Sequence, residues 1–156
     1  MPYVFDSSSF IVISHYFPDQ FPTFWARFEK AIEAGEIISV RETLNELTTK
    51  ASRPWLAQWV KDHRAMFLVP SNEELEFVRE IFKIPHFQML VTVKQRLSGN
   101  PAADPFVIAA AKVRGATVVS EESKKPNAAR IPNVCEHFGI ACLMVEGFLA
   151  KQGWRF

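Results

Sequence analysis

A few acidic residues stand out for where they fall along the chain. Asp6 stops the apolar run of "YVFDSSSF", Glu46 lies in "RETLNEL" after "EIISV", Asp104 opens "DPFVIAAAKVR", and Glu121 and Glu122 follow "ATVVS". Asp is disfavoured inside strands, and an acid beside a core needs a partner. Carboxylates gathered at one point raise one another's pKa unless cations sit between them. Oxygen-only ligands of this kind suit Mg²⁺ or Mn²⁺, with phosphate oxygens and water completing the shell. Such a site activates water and stabilises charge in phosphodiester cleavage. Each acid also has a plainer reading. Asp104 fits a helix N-cap with Pro105 at the first helical position. Glu42 rivals Glu46, although the helix dipole already explains an acid in a first turn. Glu121 or Glu122 fits simple loop charge. Asp6 has no such account.

The elements that must position these acids can be read from period and punctuation. Tyr3–Asp6 is a predicted strand, and Ser7–Tyr16 a short helix or turn with serines at its start. Phe21–Ala34 has helical period, with Phe24, Phe28, Ala31 and Ile32 on one face and Gly35 as the stop. Glu36–Val40 is a second strand, and Arg41–Lys50 a helix with Leu44 and Leu47 inward. A helix over Arg53–Ala65 and a strand over Phe67–Pro70 follow. Ser71 and Glu74 form an S-x-x-E capping box for a helix through Phe82. A further helix covers Phe87–Leu97. The alanine-rich helix from Asp104-Pro105 ends at Gly115, the strand Ala116–Ser120 follows it, and a strand around Ile140–Met144 precedes a terminal helix.

This alternation implies an α/β fold: a three-layer arrangement with a mainly parallel sheet of about four or five strands and helices on both faces. Ligands of open parallel sheets gather at the carboxyl ends of the strands. Asp6 and Glu122 sit at such ends, the Asp104 helix starts near the same edge if its crossover is the usual one, and Glu46 lies about one turn into its helix.

With 156 residues the chain is read as a single domain spanning 1–156, and 48% apolar content with 14 Phe residues excludes a disordered chain. A net charge of +1 gives no global signal for nucleic-acid binding, which would need a local basic patch or a metal. Lys124, Lys125 and Arg130 follow the last acids, and Lys94 and Arg96 precede Asp104. Phosphate contacts from these residues would position RNA without reading its sequence; a solvated surface is the alternative. Trp55 and Trp59, four apart, suit core or dimer packing. Cys135, His137 and Cys142 in "CEHFGIAC" lack an evident fourth ligand for structural zinc, so two buried thiols is the better reading. With no basic segment before a long apolar stretch, neither a signal peptide nor a membrane span is expected, and a reduced, cytoplasmic protein is the default.

These motifs together resemble the PIN domain, the nuclease fold of VapC-type toxins. The resemblance spans essentially the whole chain and rests on "YVFDSSSF", "ISVRETLNEL" and "ADPFVIAAAKVRGATVVSEE"; "RIPNVCEHFGIACL" and "KQGWRF" are similar to a branch of uncharacterised prokaryotic PIN-like proteins. It implies that Asp6, Glu46, Asp104 and Glu122 are the catalytic and metal-holding acids, with Glu46-Leu47 matching the family's Glu-Leu pair. Many relatives carry Asp where Glu122 stands, which fits a water-mediated role. Ser8 and Ser120 match the supporting hydroxyls. The resemblance further implies Mg²⁺- or Mn²⁺-dependent endoribonuclease activity, a homodimer and, for toxin members of a VapBC-like pair, a small antitoxin that occludes this edge.

Two other classes compete. A haloacid-dehalogenase-like phosphatase also begins with a strand-end Asp, but it requires a second Asp two residues on, where Ser8 stands. The alternative is a catalytically weak or inactive PIN-like module that binds RNA or protein. Convergence of the Asp6, Glu46 and Asp104 carboxylates separates the nuclease from that module.

Overall fold

Short parallel strands, each followed by a helix that covers one face of the sheet, build the molecule. In the computed structural model, which describes residues 2–50, 53–91 and 102–156, the elements numbered among those residues are β1 (Tyr3–Phe5), α1 (Ser7–Ile13), α2 (Pro22–Glu33), β2 (Ile37–Val40), α3 (Arg41–Lys50), α4 (Pro54–Asp62), β3 (Phe67–Leu68), α5 (Asn72–Phe82), α6 (Ala103–Arg114), β4 (Thr117–Val119), α7 (Ile131–Phe138), β5 (Cys142–Leu143) and α8 (Val145–Gln152). The five strands form one parallel sheet in the order β3-β2-β1-β4-β5. Tyr3 is opposite Ile37 on one side and Thr117 on the other, so β1 lies at the centre.

The period of two sorts strand residues between two cores. Phe5, Ile37, Phe67 and Val119 face α1, α2, α4 and α8, whose Phe10, Phe24, Phe28, Leu56 and Phe148 fill that layer. Val4, Val40 and Val118 face α5, α6 and α7, against Ile81, Val107, Ile108, Val134 and Cys135. The sheet is therefore covered on both faces, as the alternation of elements predicts. Phe5 makes edge-on contact with Phe28 and Phe148, at centroid separations of 5.4 and 5.1 Å. Trp55 and Trp59 both pack edge-on against Trp25, and the Trp59 indole donates to Glu29 at 3.1 Å. Ala109, Ala110 and Ala111 are buried along α6, where small side chains let the helix lie close to its neighbours.

Several boundaries differ from the sequence reading. α4 ends at Asp62, and a 3₁₀ turn over Arg64–Met66 follows. A 3₁₀ segment, Pro85–Leu90, stands where a helix from Phe87 is expected; residues 92–97 of that expectation lie outside the described residues. α6 begins at Ala103 after Ala102, so Asp104 is a first-turn residue and not the cap. The reason is non-local: Glu46 Oε1 accepts the Ala103 N–H at 2.8 Å. Only half of the Ser71 capping box forms: Ser71 accepts from the Glu74 N–H, but the buried Glu74 carboxylate turns to Arg114 at 3.0 Å. No helix among the described residues is long and apolar enough to cross a membrane.

Candidate active site

β1 ends at Phe5, and the next carboxylate, Asp6, is 3% exposed. It is the N-cap of α1: Oδ1 accepts the Ser9 N–H at 2.9 Å. The Ser9 hydroxyl lies 2.9 Å from the same oxygen and 2.9 Å from the Val119 carbonyl, tying the end of β1 to β4. The Ser8 hydroxyl is 2.8 Å from both Asp6 oxygens, and Ser120 donates to Oδ2 at 2.6 Å. Ser8 and Ser120 thus both hold the Asp6 carboxylate. Ser9 is an addition, legible only as the third position after a capping Asp. Asp6, and not one of the serines at the start of the helix, caps α1, because its extended backbone and short carboxylate reach the Ser9 N–H. Burial raises the Asp6 pKa, while donors from Ser120, Ser9 and Ser8 hold it down.

The other acids reach the same edge from separate elements. Glu46, on α3, accepts the Ala103 N–H through Oε1 and the Ser7 hydroxyl through Oε2 at 3.3 Å. Asp104, half-buried in the first turn of α6, has its pKa raised well above the ordinary Asp value, first by burial and then by Glu122, Asp6 and Glu46. Glu122 is raised by burial, lowered by the Ile131 N–H it accepts at 2.9 Å, raised by Asp6, lowered by Arg130 and raised by Glu46. Each of the four predicted acids therefore lies within electrostatic reach of others in the set. Glu42 is buried and bound to Arg41 at 2.8 Å.

Glu121 was legible only as loop charge, yet it connects two parts of the edge. Its N–H donates to Ser8 Oγ at 3.0 Å, and its carboxylate accepts the Val145 N–H at 2.6 Å. α1, α6, α7 and α8 therefore all begin at this edge, each with a carboxylate on a first-turn N–H: Asp6, Glu46, Glu122 and Glu121 respectively. Helix N-termini favour nearby negative charge, which offsets part of the repulsion among these acids.

The basic residues are less uniform. Lys124 is ion-paired with Glu136. Arg130 donates to the Ser123 carbonyl at 3.2 Å and lies near enough to Glu122 to lower its pKa. Lys125 is exposed, and its carbonyl accepts from Asn133 at 2.7 Å. Lys94 and Arg96 lie outside the described residues.

As they stand, no three Asp, Glu, His or Cys side chains among the described residues converge on one metal-sized point. The donor set is all carboxylate and hydroxyl, which suits a hard cation that keeps several waters between itself and its ligands.

The fold has solved counterparts. The crystal structure of PAE2754 from Pyrobaculum aerophilum is similar, with 15% identity over 97% of this chain and 94% of that one and a TM-score of 0.52. VapBC2 from Rickettsia felis, bound to a DNA fragment from their promoter, is similar with 15% identity over 92% and 98% and a TM-score of 0.51. Likeness at this identity concerns the fold alone, and the three-layer, PIN-like α/β architecture is the one observed. No curated protein matches the chain. The family model described as "Domain of unknown function (DUF4411)" matches residues 3–156, and the chain belongs to that family.

Proposed function

We propose that this protein is a divalent-metal-dependent endoribonuclease. One observation carries the reading: Asp6, Glu46, Asp104 and Glu122, from four separate segments, lie along the carboxyl edge of the sheet, where the other three acids add to burial in raising the Asp104 pKa and Asp6 and Glu46 add to burial in raising that of Glu122. That edge is where ligands of parallel sheets bind. Asp104 and Asp6, helped by Glu46, would hold Mg²⁺ or Mn²⁺, with Glu122 acting through water. The bound ion would supply charge neutralisation at the phosphate and a more acidic water. Ser8, Ser9 and Ser120 keep the Asp6 carboxylate in one orientation. Lys125 and Arg130 flank the acids and would take the RNA backbone, with Lys124 joining when it leaves Glu136. Within this reading the protein acts as the toxin of a VapBC-like pair, as a homodimer, with a small antitoxin covering the acidic edge.

The test is cleavage of single-stranded RNA with Mg²⁺ or Mn²⁺, and with chelator. Asp6→Asn and Asp104→Asn are each expected to lose about 10²-fold or more, the scale of removing one positioned electrostatic group. Metal-dependent cleavage that survives both substitutions overturns the site assignment.

A second reading rests on a specific observation. Asp6, Glu46 and Glu122 each already hold a helix N-terminus, and no three side chains converge on a metal-sized point among the described residues. These features suit a PIN-like interaction module whose acids are structural. Absence of saturable Mn²⁺ binding in a paramagnetic-resonance titration, together with absent cleavage, selects that module.

A further inference from the structure

The two cysteines fall outside the acidic site and its chemistry, yet the fold places them against each other. α7 ends at Gly139, which has φ 69° and so adopts the left-handed conformation that glycine favours. The Cys135 carbonyl accepts the N–H groups of both Gly139 and Ile140, the latter at 2.8 Å, so the chain reverses within two residues of the helix end. β5 then runs back along the helix, and Cys142 packs against the buried cluster that holds Cys135, with the two thiols within interacting range of one another. Cys135 is fully buried among Ile131, Val134 and Ile140. Cys142 sits on the outermost strand, beside Val118, and is only half-buried. Of the two residues Cys142 is thus the more exposed, and Cys135 lies in the core.

We propose that Cys135 and Cys142 form a peroxide-reactive thiol pair, in which Cys142 is the attacking sulfur and Cys135 the resolving one. In the first step the Cys142 thiolate attacks one oxygen of a hydroperoxide and the O–O bond breaks. The sulfur becomes a sulfenic acid, and the peroxide leaves as an alcohol or, from hydrogen peroxide, as water. In the second step the Cys135 sulfur attacks the Cys142 sulfenic sulfur and expels hydroxide. That hydroxide leaves as water with the Cys135 proton, giving a disulfide. The pair has lost two electrons and two protons, and the peroxide has gained them. The order of attack follows from access: Cys142 is partly exposed, whereas Cys135 is fully buried.

The experiment exposes the folded, reduced protein to hydrogen peroxide, denatures it in excess iodoacetamide and records the intact mass. The wild type is expected to lose two hydrogens and take up no alkyl group, and dithiothreitol applied before alkylation restores uptake of two. Cys135→Ser is expected to stop at a sulfenic acid on Cys142 that dimedone traps. Cys142→Ser is expected to lose its remaining thiol at least tenfold more slowly than Cys135→Ser does. Two free thiols after treatment, disulfides between chains, or equal reactivity of the two variants overturns the proposal. If either variant fails to fold, as judged by circular dichroism, peptide mapping of the oxidised wild type decides: a Cys135–Cys142 cross-linked peptide supports the pair, and its absence overturns it.

Discussion

Asp104 carries the least balanced charge at the acidic edge. Asp6 has donors from three serines, whereas burial and three neighbouring carboxylates act on Asp104 in one direction. Its folded-state pKa lies well above the ordinary Asp value, so over that interval the folded protein keeps a proton that the unfolded chain has released. The unfolded state then binds fewer protons, and stability falls as pH rises through the interval. Asp6 and Glu122 are raised as well and act with the same sign. Thermal melts in chelator should therefore decline from about pH 4 upward, the unfolded Asp pKa marking the start of the decline. Asp104→Asn is expected to flatten this slope in part. At neutral pH the variant should be more stable by about 1 kcal/mol, or ~2–4 °C in Tm, while losing cleavage. An unchanged pH slope would mean that the Asp104 charge is already compensated in the folded state.

At the scale of elements, the acidic edge is also a set of helix starts. Glu46 caps α6 from 57 residues away, and Glu121 and Glu122 cap α8 and α7 from the end of β4. Glu121→Ala is expected to cost about 1 kcal/mol, the usual loss for a cap, and Glu121→Gln less, because the amide oxygen still accepts. Amide exchange should rise first in the opening turn of α8, near Val145, which hydrogen-exchange mass spectrometry reads. Uniform destabilisation without that local signature would remove the capping role. These long-range caps explain what the sequence made legible and what it did not. Periodicity found the helix through Phe24 and Phe28, and short apolar runs found the strands at Val4 and Val118, because both signals are local. Asp104 reads as a cap because Asp-Pro is a local start signal, but Glu46 takes that role and moves the start to Ala103. Glu121 offered no spacing signal, since its partner Val145 is set only by the packing of β4 against β5. Asp6, Glu46, Asp104 and Glu122 were legible together because motif order along the chain records the edge they share.

For the molecule as a whole, the sheet separates two apolar layers and leaves its carboxyl edge as the place where buried charge collects. The net charge is only +1, so no long-range field draws a polyanion to that edge, and RNA affinity has to come from the few cations beside it. This makes salt dependence a direct count. Three phosphate contacts, from Lys124, Lys125 and Arg130, would give a slope of log Kobs against log salt of about −2 for a single strand. Because Lys124 is ion-paired with Glu136, the slope should lie between that value and about −1.4, the figure for two contacts. Binding measured with the Asp104→Asn protein, which removes turnover, tests this across a salt series. Replacing Lys125 and Arg130 together by Gln should flatten the slope by about 1.4 and weaken binding similarly for unrelated RNA sequences, since backbone contacts carry no base information. A wild-type slope steeper than about −3 would require more than four contacts and would place the RNA across basic residues beyond this loop. A slope near zero would remove the loop from the RNA path and favour the interaction module.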